Sequence, residues 1–154
     1  MVRLLIISVF FCGLGNSLSA QHTPNGFYVI IPESTGCLNP VFGFTPGKQY
    51  CLPKEPLIPS AQFTSVSDLQ YNNRESLMYI NLYLSSEGLN TLRAFAKTLP
   101  EATLALVIDD VVTGSFDSRG KEVVNSIPIS GPKGSDEVEW IWLKLRKITS
   151  QRQD

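Results

Sequence analysis

Asp109 and Asp110 stand side by side between two aliphatic runs, in LALVIDDVVTGS at residues 104–115. Paired carboxylates are what a hydrolase uses for acid–base work and what a hard cation takes as ligands. Their spacing argues against both uses. Adjacent residues of an extended chain point to opposite faces, so neighbouring carboxylates do not converge on one substrate atom. Two polar residues between β-branched runs read instead as a tight hairpin turn, where aspartate tolerates a positive φ. No histidine or cysteine stands nearby in sequence as a proton-transfer partner.

The remaining inventory is thin. There is no GxSxG elbow, and the one histidine, His22, lies outside the body of the sequence, which leaves a serine or thiol nucleophile without a base. A zinc site needs about four ligands, more than the cysteines and one histidine supply after the leader is set aside. GPKGS, at 131–135, could cradle an anion through backbone amides. It lacks the G-x-x-x-x-G-K-[ST] pattern, and a plain linker ending in an N-cap is the better account of it. Scattered carboxylates such as Asp109, Asp117 and Glu122 leave a small hydrolase or ligand-binding protein as the alternative reading. The expectation is a chain that is not an enzyme, with no catalytic residue, no cofactor and no metal.

The elements that must position these residues are partly legible. FYVII, at 27–31, is a short β-prone run, and KQYCL, at 48–52, is placed to pair back on it. LPKEPLIPS carries Pro53, Pro56 and Pro59, which forbids a helix and predicts an extended connector. The mixed polar stretch 60–73 yields no assignment. SLMYINLYL alternates, with Met78, Ile80, Leu82 and Leu84 as a wholly aliphatic set that must face a core. Ser85 and Ser86 offer N-caps, with Glu87 in the first turn and Pro100 as a stop, predicting a helix over 86–99. TLALVI reads as a buried strand, VVTGS as its hairpin partner, 117–122 as a polar loop and SIPIS as a further strand.

Ser135 can cap a last helix over 135–148, with Asp136 and Glu137 favourably placed at its start. Val138, Ile141, Trp142, Leu145 and Ile148 share one side of that helix. At 100° per residue Trp140 falls about 140° from the centre of this arc, with Leu143 near it. Two accounts fit: Trp140 is packed beneath the N-terminal loop, or Trp140 and Leu143 form an exposed apolar patch that contacts a partner. Residues 149–154 read as a frayed tail.

Residues 1–20 have the layout of a secretory signal peptide: Arg3, an apolar run from Leu4 to Phe11, and Leu18-Ser19-Ala20 before Gln21. Cys12 follows Phe11 rather than a small residue, which argues against lipidation. Removing 20 of the 154 residues leaves 134, enough for one domain with a core. Only Arg3 is lost among the charges, so 12 basic face 14 acidic residues, net −2. That balance offers no basic patch for nucleic acid or an anionic membrane surface. The later apolar stretches are short, so no integral membrane segment is expected in the mature chain. An exported, periplasmic or secreted protein, cleaved near Ala20, follows.

Cysteine usage agrees with export, since Cys37 and Cys51 remain as an even pair. Bridging them would close a loop rich in proline and glycine, CLNPVFGFTPGKQYC, and staple residues 21–50 into one N-terminal unit. Such a loop of about 15 residues is worth roughly 3 kcal/mol in the chain-entropy model.

The order of these motifs resembles the periplasmic head subdomain of the SecD/SecF protein-export family. The matching features are Ser86-Glu87-Gly88 where a strand enters a helix, the hairpin from Leu106 to Val112, and the strand end Ile129-Ser130-Gly131. The resemblance covers the 51–148 region; Asp110 stands where the family usually has glycine. It implies an α+β fold, a single compact domain in which a mainly antiparallel sheet carries two helices on one face. It also implies a non-catalytic module whose partner is a protein or an unfolded polypeptide. The family's membrane-spanning, proton-driven motor has no counterpart in this sequence.

Overall fold

The alternation in SLMYINLYL becomes the central strand of a sheet. In the computed structural model, which describes residues 22–32, 36–37, 39–117 and 125–151, this is β7 (Leu77–Leu84). Met78, Ile80, Leu82 and Leu84 are buried, and the intervening residues are not. Preceding it are β1 (Gly26–Val29), β2 (Pro40–Phe42), β3 (Gln49–Cys51), β4 (Ile58–Pro59), a 3-10 turn (Ser60–Gln62), β5 (Phe63–Val66) and β6 (Gln70–Asn72). Following it are α1 (Ser86–Thr98), β8 (Thr103–Ile108), β9 (Val111–Asp117), β10 (Ser126–Pro132) and α2 (Asp136–Ser150).

Every ladder between these strands is antiparallel. The strands divide into two four-stranded sheets and a hairpin. One sheet has the order β4-β1-β8-β9. In the other, β10 lies along one edge of β7, and β5 and β6 share its other edge. The chain crosses between sheets at the 3-10 turn, directly after β4.

One main core joins the two sheets and both helices. Phe27, Leu106 and Ile108 come from the first sheet, Ile80, Leu82 and Ile129 from the second, Leu92 and Phe95 from α1, and Ile141 and Leu145 from α2. Phe27 makes edge-on ring contacts with Phe63 and Phe116. A smaller cluster lies on the other face of the first sheet, where Val41 and Leu52 cover Tyr28, Ala105, Val107 and Val112. LALVI, residues 104–108, is an uninterrupted apolar run because its strand has a core on each side.

Helix α1 starts as expected, with the Ser85 hydroxyl accepting from the Gly88 amide at 3.1 Å. The same hydroxyl donates to Gln62 Oε1, and Gln62 Nε2 donates to Glu87 Oε2 at 2.9 Å. The helix is thereby tied to the 3-10 turn. Two motif glycines sit where elements touch. A Cβ on Gly88 would come within 3.0 Å of the Gln62 Cβ, and one on Gly131 within 2.7 Å of Val138 Cγ2.

Three local expectations are revised. KQYC pairs with β2, not with FYVII, apart from a single bridge between Ile31 and Cys51. The edges of β1 are already taken by β4 and β8, and Gly47 at φ 80° lets the Pro46-Gly47 turn close a local hairpin. Ser135 precedes α2, but its side chain makes no capping bond. The unassigned 60–73 stretch contributes the 3-10 turn, β5 and β6.

Candidate functional site

The two aspartates form the turn between β8 and β9, with φ of 49° at Asp109 and 65° at Asp110. Successive positive φ values define the type I′ geometry that matches strand twist in a two-residue hairpin. The carboxylates diverge. Asp109 Oδ2 accepts from Lys144 Nζ on α2 at 2.6 Å, and its amide donates to Asn25 Oδ1 at 2.8 Å. Asp110 turns to the N-terminal segment, where its Oδ2 lies 2.8 Å from His22 Nδ1 and its Oδ1 accepts from the Thr23 amide.

Burial pushes the Asp110 carboxyl up, but the Thr23 amide and the hydrogen bond and charge of His22 together outweigh it, leaving its pKa below the ordinary value. The neighbouring Tyr28 hydroxyl donates to the Pro24 carbonyl at 2.6 Å. Burial, with the charges of Asp110 and Glu55, pushes that phenol up to about 12. The turn therefore acts as a clasp, one carboxylate holding α2 and the other holding residues 22–23. Of the other carboxylates singled out in the sequence, Glu122 and the side chain of Asp117 lie outside the described residues. Among the described residues, no group of three or more His, Cys, Asp and Glu side chains could hold a metal ion.

Cys37 and Cys51 are joined in a disulfide with a Cα–Cα distance of 5.3 Å. Inside the closed loop Val41 points into the smaller core, while Phe42 and Phe44 point outward. The Phe44 ring meets Trp140, with centroids 5.6 Å apart. Trp140 is thus half-buried against the stapled loop, with the Lys144 ammonium 5.3 Å from its ring centroid. Leu143, Phe42 and Phe44 are exposed large apolar side chains, at 59%, 64% and 41%. Trp142 is half-buried nearer the core, its Nε1 donating to the Ser67 carbonyl at 3.1 Å.

One side of the Trp140 ring is packed against the loop, and its neighbours Leu143 and Phe44 keep the corner apolar and exposed. Phe42 and Phe44 were not among the candidate residues in the sequence. The signal was present in the alternation along VFGF: Val41 and its partner Tyr50 turn to the smaller core, which leaves Phe42 and Phe44 on the other side.

No protein-family model and no curated protein matches the chain by sequence. A search of solved structures finds a likeness to SecDF, described there as a membrane component that enhances protein export. The TM-score is 0.55 at 16% identity, over 80% of this chain and 63% of that chain. At that identity the likeness is one of fold: the chain has a SecDF-like architecture and spans less than two thirds of the protein it matches. No described helix is long and apolar enough to cross a membrane.

Proposed function

We propose that the protein is an exported, non-catalytic module that binds polypeptide at the corner formed by Phe42, Phe44, Trp140 and Leu143. The observation that carries this reading is the exposure of apolar side chains on two adjoining elements, the stapled loop and α2. Aromatic residues with large apolar surface are the groups most enriched where binding energy concentrates. The likeness to a structure described as enhancing protein export favours a polypeptide as the partner. Export supplies the compartment in which the Cys37–Cys51 bridge persists, with cleavage near Ala20 and residence in the periplasm or outside the cell.

The corner offers shallow apolar contact flanked by Lys144, which suits short apolar segments of an extended chain. Burying one leucine side chain contributes about 1.5–3 kcal/mol, so each anchor is worth roughly one to two decades of affinity. The test is a titration of a permanently unfolded, reduced and carboxymethylated protein, labelled for fluorescence anisotropy, with the wild type and with Leu143→Ser. Saturable binding that weakens about tenfold or more in Leu143→Ser supports the reading. Absence of binding to the wild type, or equal binding by both, removes it.

A further inference from the structure

The face of β7 that looks away from the core has a composition of its own. Tyr79, Asn81 and Tyr83 alternate with the buried Ile80 and Leu82, so they project from the opposite side of the sheet. The register sets Ser130 opposite Tyr79 and Pro128 opposite Asn81 on β10. On the other flank Gln70 lies opposite Tyr79. Directly opposed residues share a face, and these side chains therefore form one platform. Tyr83, Ser130, Pro128 and Gln70 are exposed, and Tyr79 and Asn81 in the middle are partly buried. The helix α2 packs on the far side, through Ile141 and Leu145 in the main core, so the platform is separate from the Phe44–Trp140 corner.

None of these side chains is charged at neutral pH. The absence of charge selects the occupant. A strongly acidic or basic partner finds no counter-charge here. An aliphatic surface would strip water from phenols, hydroxyls and amides without replacing their hydrogen bonds. A polypeptide adding as a further strand meets an edge, β10, in which Pro128 and Pro132 have no N–H to offer. A neutral ligand rich in hydroxyls fits on each count. The hydroxyls of Tyr and Ser and the amides of Asn and Gln both donate and accept, as sugar hydroxyls do. The tyrosine rings supply flat apolar surface for the C–H face of a pyranose, with little rotamer freedom to lose. Tyr79 and Tyr83 are four residues apart, about 13 Å along the strand, which spans several linked sugar rings.

We propose that this platform binds a neutral glycan, lying along β7 across Tyr79 and Tyr83. The test is to follow backbone amide resonances of the purified, isotope-labelled protein while adding cellotetraose, chitotetraose or maltotetraose in turn. The expected result is saturable shifts at residues 79–83 and 128–130 with at least one tetrasaccharide, weakened about tenfold or more in Tyr83→Ser and in Ser130→Lys. Both substituted positions are exposed, and the second variant, which places a charge on the platform, keeps the test decisive if the first fails to fold. Silence with all three sugars, shifts that persist unchanged in the folded variants, or perturbation of this face by an unfolded polypeptide instead of a sugar would each overturn the proposal.

Discussion

Lys144 Nζ lies 2.6 Å from Asp109 Oδ2, joining the tip of the β8–β9 hairpin to the outer side of α2. The next residue in the hairpin reaches the other way, to His22 and Thr23. A pair of carboxylates that resembles an active site in the sequence is thus spent on two separate attachments. Both contacts are largely open to solvent, so each contributes at most about 1 kcal/mol. Their effect is to fix α2 and the N-terminal segment to the tip of the hairpin.

Backbone geometry at Asp110 gives an ordered pair of variants. Its φ of 65° suits glycine and strains an ordinary side chain. Both Asp110→Gly and Asp110→Ala lose the His22 and Thr23 contacts, but only the second adds strain. Asp110→Ala should therefore be the less stable by about 1–2 kcal/mol, read from urea denaturation midpoints. Equal stability of the two would show that the turn relaxes out of its left-handed conformation.

The same residue sets an acid response. The Asp110 carboxyl titrates lower in the folded protein than in the unfolded chain. As pH falls, the unfolded chain takes up this proton first, starting around its ordinary pKa of about 3.9. The contribution to stability is present above that value and is lost as pH drops through the lower, folded-state pKa. Asp110→Asn should flatten this part of the curve of unfolding free energy against pH, below about pH 5. An acid limb identical to the wild type would show that other carboxylates carry it.

Reduction of the disulfide should cost about 3 kcal/mol, the value for a closed loop of 15 residues. Because Val41 and Leu52 cover the smaller core, the loss should be concentrated there. Amide exchange with and without reductant checks this: protection should fall first on β2 and β3. Uniform loss across both sheets would mean that the staple supports the whole domain.

Gly131→Ala tests the close approach of β10 to α2. The added methyl would stand 2.7 Å from Val138 Cγ2, and Val138 is buried. Overpacking of this kind costs about 1–3 kcal/mol, read as a lowered melting temperature. Combining it with Val138→Ala should recover part of the loss, and failure to do so would place the strain in the backbone.

What could be read from the sequence, and what could not, separates by the range of the interaction. Alternation in β7, the Ser85 cap, the aspartate turn and the cysteine pair are local patterns, each with its physical signature within a few residues. The hairpin of β3 with β2 is local too, but the reason β3 does not pair along β1 is long-range. Both edges of β1 are occupied by β4 and β8, which are far from it in sequence. The short strands β5 and β6 were obscured by polar residues, because their outward sides lie on a solvent-facing sheet. Trp140 was ambiguous for a related reason, since helical angle says which way a ring points but not that Phe44 waits there to meet it.

The central claim, polypeptide binding at the Phe44–Trp140 corner, is tested most directly by mapping backbone amide shifts while a permanently unfolded polypeptide is added. Saturable shifts are expected at residues 42–44 and 140–147, reduced in the double variant Phe42→Ser, Leu143→Ser. Shifts located elsewhere, or no shifts with a demonstrably folded domain, would contradict it.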